Sequence, residues 1–259
     1  LSVVYQWTNS DGDVLSDSGE LLLSPDTVQP TDELICIATV DDGETEVSES
    51  TSVTVDNTAP VFDTSASISP STGITTSSTL TCSGVSSDAD GDSLTESMEW
   101  FVAGSSVSTG MTLDLSSVGA SPNDTVECVV VVEDPSGDSD QQTASATVLN
   151  TNPTIDVLTL NPSEPTLNDT LSCYAETSDV DGDTPTLGFS FTNQNTGSVF
   201  SPTTTSTNIA TLDVSSTDAD YDHVLTCSVT STDSDGGSAT SSINTTIVNT
   251  SPVFDQGAV

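Results

Sequence analysis

Three stretches of this chain end on nearly the same words: SVTVDNTAPVFD at 52–63, SATVLNTNPTID at 145–156 and NTTIVNTSPVFD at 244–255. The shared asparagine falls at Asn57, Asn150 and Asn249, so the text recurs after 93 and then 99 residues. Within each period two cysteines frame an aromatic residue: Cys82, Trp100 and Cys128, then Cys173, Phe191 and Cys227. The order cysteine, aromatic, cysteine fits strands B, C and F of a seven-stranded sandwich. It predicts two inter-sheet bridges, Cys82–Cys128 and Cys173–Cys227. Loops of this size contribute roughly 4 kcal/mol each by restricting the unfolded chain. Such bridges need an oxidising compartment, which means a secreted or cell-surface protein. The alternative reading is two pairs of buried free thiols.

The first period is incomplete. Trp7 aligns with Trp100, and Cys36, in LICIATV, takes the place of Cys128. The chain therefore enters at strand C, and the partner of Cys36 is expected upstream of residue 1. At the other end VFDQGAV (253–259) opens a further repeat. The expected organisation is a partial repeat at 1–58, full repeats at 59–151 and 152–250, and the start of another at 251–259. A window cut from a longer tandem array accounts for both ends. Completion of the first unit by a neighbour's strand is the sharper alternative. No signal peptide is visible and the first residue is not Met, which reads as mature or excised material.

Composition narrows the function. The chain has 259 residues, no Lys or Arg, 40 acidic residues and a formal charge of −40. No basic side chain is available to pair with a carboxylate, so acid–acid repulsion has to be relieved by salt, bound cations or protonation. Nucleic acid and anionic lipid both require a basic patch, and neither is expected as a partner. No apolar run approaches the length of a membrane span, so this segment is not expected to insert. A Ser/Thr-rich chain with 4% aromatics could be disordered. Against that stand ELICIATV (33–40), DTVECVVVVE (124–133) and HVLTCSVT (223–230), which are strand-length, β-branched and bounded by turn residues.

The set formed by cysteine, D-x-D-G-D, an aromatic strand, a second cysteine, an acidic Gly turn and N-T-x-P resembles tandem Ig-like repeats. Such repeats occur in very large extracellular proteins of bacteria and archaea, near the PKD-like and cadherin-like modules. The resemblance spans essentially the whole chain. It departs from the PKD pattern at Trp100, which is followed by FVAG rather than DFGDG. It departs from the cadherin linker in having fewer acids around VDNTAPVF (55–62). It implies an all-β fold of Ig-like β-sandwich domains joined end to end with one inter-sheet disulfide per repeat. It also implies a non-catalytic module used for spacing, adhesion or filament building.

Twice the chain carries an aspartate loop: SDADGD at 87–92 and SDVDGD at 178–183. Each lies between strands B and C, at the sandwich end shared with the F–G turn and the entry of strand A. Three acidic segments are expected to converge there. In one repeat they are Asp88, Asp90 and Asp92, then Asp134, Asp138 and Asp140, then Asp56 and Asp63. In the next they are Asp179, Asp181 and Asp183, then Asp233 and Asp235, then Asp156. Oxygen ligands without His or Cys suit Ca²⁺. The same letters also make an ordinary Asp-Gly turn, and both readings stand at this point. An EF-hand is the poorer fit, because Ser93 occupies the glycine position and the flanks read as strands. The hairpin NSDGDV (9–14) is expected at the opposite end of its unit, facing the next aspartate loop.

Paired carboxylates also serve glycosidases, but these recur in every unit, as a scaffold feature does. The one histidine, His223, has no visible nucleophilic partner. Trp7, Trp100, Phe189 and Phe191 read as core aromatics rather than a sugar platform. Sequons stand at Asn123, Asn168, Asn244 and Asn249, and a Ser/Thr-rich chain produces several by chance. The expected function is structural: a segment of an extracellular filament or stalk, rigidified by disulfides and calcium. Its partners would be neighbouring repeats or copies of itself. The alternative is an adhesin-type module that binds a surface glycan or protein, with the longer TNQNTGSVFSPTTTSTNIA (192–210) as the place to look.

Overall fold

In the computed structural model, which describes residues 2–252 and 254, the regular elements among those residues are β-strands and two single 3-10 turns. The segment expected to open another repeat lies, apart from Phe254, outside the described residues. Contacts group the chain into two compact units. One comprises Leu1–Thr72, Thr79–Asp114 and Thr125–Ala146, the other Gly73–Ser78, Leu115–Asp124 and Thr147–Val259.

The first unit begins with β1 (Ser2–Asn9), β2 (Val14–Ser16), β3 (Glu33–Asp41) and β4 (Glu46–Thr54), which form one sheet in the order β2-β1-β3-β4. It continues with β5 (Val61–Ser69), β6 (Thr79–Ser87), β7 (Thr95–Val102), β8 (Ser105–Thr109), β9 (Thr112–Asp114), β10 (Thr125–Glu133) and β11 (Ser139–Thr147). These make two sheets, β5-β6-β9 and β11-β10-β7-β8. The run TVECVVVVE becomes β10 because its period of two buries Val126, Cys128, Val130 and Val132 and turns the intervening residues outward. Trp100 on β7 lies beside Cys128 in register and is fully buried, its Nε1 donating to the Gly110 carbonyl at 2.9 Å. The Cys82–Cys128 disulfide joins β6 to β10 and so ties the two sheets together.

The second unit carries β12 (Thr154–Asn161), β13 (Thr170–Ser178), β14 (Thr186–Asn193), β15 (Val199–Phe200), β16 (Thr204–Thr205), β17 (Ile209–Asp213), β18 (Val224–Thr232) and β19 (Ser238–Thr246). Its sheets are β12-β13-β17-β16 and β15-β14-β18-β19. Phe191 on β14 takes the place that Trp100 has on β7, opposite Cys227 of β18. It is fully buried among Leu171, Leu212, Leu225, Val229 and Ile247. The Cys173–Cys227 disulfide joins β13 to β18. The fold is therefore all-β, made of Ig-like sandwich sheets in tandem, with both expected disulfides formed.

The repeat also survives in a turn that the sequence does not advertise. Thr31, Asn123 and Asp222 have φ of 74°, 71° and 64°. Their amides donate to the carbonyls of Val55, Val148 and Ile247, and those three residues donate back to Asp32, Asp124 and His223. One left-handed residue is thus used three times to lock the turn before an F-type strand onto the end of the strand beside it.

Candidate cation-binding loops

In the first unit the loop from β6 to β7 holds Asp88, Asp90 and Asp92. One carboxylate oxygen from each lies within 4.8 Å of the others. Gly91, at φ 77°, turns the chain, and the Asp90 amide donates to Asp88 Oδ1 at 2.7 Å. The turn from β10 to β11 is closed by the Asp138 amide on Asp134 Oδ1 at 3.0 Å. The linker ahead of β5 stitches the two together. Asn57 Nδ2 donates to Asp134 Oδ2 at 2.9 Å and to Asp138 Oδ2 at 2.8 Å. The Thr58 amide donates to Asp90 Oδ2 at 2.6 Å.

The second unit repeats this plan with changed details. The Asp181 amide donates to Asp179 Oδ1 at 2.7 Å, and Asn150 Nδ2 donates to Asp233 Oδ2 at 3.0 Å. Asp181 accepts from the Thr151 amide and hydroxyl, both at 2.7 Å, and from the Thr76 hydroxyl at 2.6 Å. The Ser234 hydroxyl donates to Asp183 Oδ1 at 3.0 Å. Gly237 stands where the first loop set has Asp138. A Cβ there would lie 2.6 Å from Asn150 Nδ2 and 2.7 Å from Asn152 Oδ1, and would collide with Asp233 Oδ2. Gly237→Ala is accordingly expected to cost about 1–3 kcal/mol by forcing these groups apart. Gly182→Ala is the control, since its site is open and only the left-handed backbone at φ 88° resists it. Thermal melts of the two variants check the difference.

The hydrogen bonds divide the loop oxygens into two groups. A turn needs one oxygen from each loop aspartate, and it has them: Asp88 Oδ1, Asp179 Oδ1, Asp134 Oδ1 and Asp233 Oδ1 all accept backbone amides. Five further side-chain oxygens in the same loops are buried and accept nothing among the described residues: Asn57 Oδ1 and Asp88 Oδ2 in the first set, Asn150 Oδ1, Asp179 Oδ2 and Asp183 Oδ2 in the second. A buried acceptor without a donor costs about 1–3 kcal/mol, and more when charged. The chain owns no Lys or Arg to serve them. All are hard oxygen donors, so the set fits a Ca²⁺-type cation.

Electrostatics divide the carboxylates into two classes. The Asn57 bond, offset in part by burial, holds Asp134 below its ordinary value, and the Asn150 bond does the same for Asp233. At Asp181 burial pushes upward, but the bonds from Thr76 and Thr151 outweigh it and the net shift is downward. Asp92 is pushed up, first by burial and then by Asp88, Asp134 and Asp90. Asp235 is pushed up by burial and by Asp183 and Asp233.

Other expected members make different bonds. Asp140 is on β11, its carboxylate accepting from the Gln141 amide. Asp63 accepts from the Ser87 hydroxyl and Asp156 from that of Thr154. The hairpin at 9–14 bonds to itself, through Asn9 and Asp13. Pro25, rather than that hairpin, lies against Gly91. Conversely, Asn57, Asn150, Asn152, Thr58, Thr76 and Thr151 belong to the loops although no acidic motif marks them. The recurring N-T-x-P was the available signal.

His223 is a structural residue. Its Nδ1 accepts from the Asp220 amide at 3.2 Å and faces Asn193 Nδ2 at 3.1 Å, while the Ser198 hydroxyl bonds Asp218. Among the sequons, Asn123 Nδ2 donates to Asp235 at 3.2 Å, and Asn244 is exposed on β19. Asn168 and Asn249 line one cavity of about 180 Å³.

No protein-family model and no curated protein matches the chain. Solved structures do. A tetra-tandem repeat from the extending region of a large adhesion protein is 19% identical over 95% of this chain, with a TM-score of 0.40. A Ca²⁺-stabilized adhesin with which an Antarctic bacterium binds ice is 15% identical over 95%, with a TM-score of 0.33. The chain spans 66% and 65% of those two structures. Fibronectin(III)-like modules of Clostridium thermocellum CbhA are 15% identical over 73% of this chain and 94% of theirs, with a TM-score of 0.30.

Proposed function

We propose that this chain is a structural segment of an extracellular filament or stalk, with 59–151 and 152–250 as its full modules and a calcium ion stiffening each set of acidic loops. The observation that carries this reading is the group of five buried, donorless oxygens in a chain that has no Lys or Arg. In the first set the ligands would be Asp88, Asp90, Asp92, Asp134, Asp138 and Asn57. In the second they would be Asp179, Asp181, Asp183, Asp233, Asp235, Asn150 and Asn152. Each set ties the linker (Asn57–Thr58 or Asn150–Thr151) to two loops of one sandwich end, so a cation held there would fix the direction in which the chain enters that sandwich. Inter-sheet disulfides support the extracellular assignment, since they persist in oxidising compartments. Asn123, Asn168, Asn244 and Asn249 are the proposed glycan acceptors, with Asn244 the most open. Partners would be neighbouring repeats and further copies in a filament.

Small-angle X-ray scattering tests the stiffening. Adding Ca²⁺ to chelated protein should narrow the distance distribution. Identical curves in calcium and in chelator would remove the ion from the joint.

A further inference from the structure

One sheet has an uncovered face. On β3, Cys36 pairs with Trp7 of β1 as Cys128 pairs with Trp100 and Cys227 with Phe191. In the other two cases a facing sheet supplies the second half-cystine, from β6 or β13. Cys36 is a free thiol. Cross-strand neighbours point to the same face, and away from its Leu34 end, where Leu34 is buried, that face is open here: Tyr5 is 43%, Val53 56% and Val47 63% exposed. Met98, which holds the place of Tyr5 on β7, is 9% exposed.

Two local defects point the same way. Thr112–Asp114 forms β9 by pairing with β6. The matching stretch GELLL, at 19–23 ahead of the equivalent Thr31 turn, forms no strand, and its Leu22 is 91% exposed. Trp100 Nε1 finds the Gly110 carbonyl next to that strand, whereas Trp7 Nε1 is buried with no acceptor among the described residues. A β6-like strand would organise both.

We infer that this face is the receiving half of a sandwich, and that its occupant is a pair of antiparallel strands built like β5 and β6, the second presenting a half-cystine to Cys36. A second copy of this chain is the poorer occupant. Its other four cysteines are already bonded, and two chains of formal charge −40 repel. In the covalent step Cys36 and its partner each lose a proton, their sulfurs join, and the two electrons pass to a small-molecule disulfide, which is cleaved to two thiols.

The test lengthens the chain by a copy of residues 59–94 placed ahead of Ser2 and refolds it in oxidised and reduced glutathione. Peptide mapping should find Cys36 bonded to the copied cysteine, with Cys82–Cys128 and Cys173–Cys227 intact. In the unlengthened native chain Cys36 should react with a maleimide. A peptide of residues 59–94 added in trans should slow that reaction at least about tenfold by covering the face. A Cys36 that stays reactive in the lengthened chain with the other two bridges intact overturns the inference. So does labelling unchanged by the peptide, or a Cys36–Cys36 dimer of the unlengthened chain under the same redox conditions.

Discussion

Replacing Cys173 and Cys227 together by alanine will cost about 4 kcal/mol, and the Cys82/Cys128 pair a similar amount. The bridges span 54 and 46 residues, so each removes a large share of the unfolded chain's freedom. Few other terms are available to replace them. The chain is 4% aromatic, and Trp100 and Phe191 are the fully buried aromatics among the described residues, one for each cystine. A domain at the low end of the usual range of about 5–15 kcal/mol would survive the loss of one bridge only marginally. Urea unfolding of the double variants, and of wild type with and without reductant, measures the cost. A loss below about 1 kcal/mol would mean that the sheets are held by packing alone.

The second large effect is that of calcium. A site occupied at a hundredfold excess over its dissociation constant adds about 2.7 kcal/mol to the folded state, and two loop sets would act together. The pH dependence should change with it. Asp92 and Asp235 have raised values in the folded protein. The stability they contribute is full below the ordinary aspartate value of 3.8 and is lost as pH rises through their folded values. Asp134, Asp181 and Asp233 have lowered values, and their contribution is present above 3.8 and lost as pH falls through those lowered values. In chelator the melting temperature should therefore peak on the acid side, between the lowered values of Asp134, Asp181 and Asp233 and the raised values of Asp92 and Asp235, where protons relieve the crowded carboxylates. In calcium the ion does that work, and the peak should move toward neutrality. Melting curves from pH 3 to 8, at roughly one-unit steps, check both branches.

Much of this was legible in the sequence for a covalent and periodic reason. Cys82, Trp100 and Cys128 recur as Cys173, Phe191 and Cys227, and a sandwich is the arrangement that lets such pairs meet. The runs that became β10 and β18 are β-branched and strand-length, which marks them as strands, but CVVVV at 128–132 is apolar throughout and only the structure shows which face is buried. The aspartate loops could be located because topology gathers the B–C loop, the F–G turn and the linker. Which side chains meet there was less legible. Asp138 and Asp140 look equivalent on paper, but Asp138 lies in the turn within reach of Asn57, whereas Asp140 is already on β11. Asn150, Thr76 and Thr151 are not marked as loop members in the sequence, because amides and hydroxyls carry little signal in a Ser/Thr-rich chain. Gly237 reads as half of a flexible Gly-Gly pair, and only the positions of Asn150, Asn152 and Asp233 show that a side chain has no room there. The Thr31 turn was invisible because a β-branched residue is a poor predictor of positive φ.

The most direct test of the central claim is isothermal titration of the chelated chain with calcium, comparing wild type with Asp88→Asn and Asp179→Asn. Each substitution removes the charge of one carboxylate that has a donorless oxygen while keeping its shape. The account predicts one binding event for each loop set, and each variant should lose the event of its own set while retaining the other. Absence of calcium binding in the wild type, or binding that neither variant alters, would contradict it.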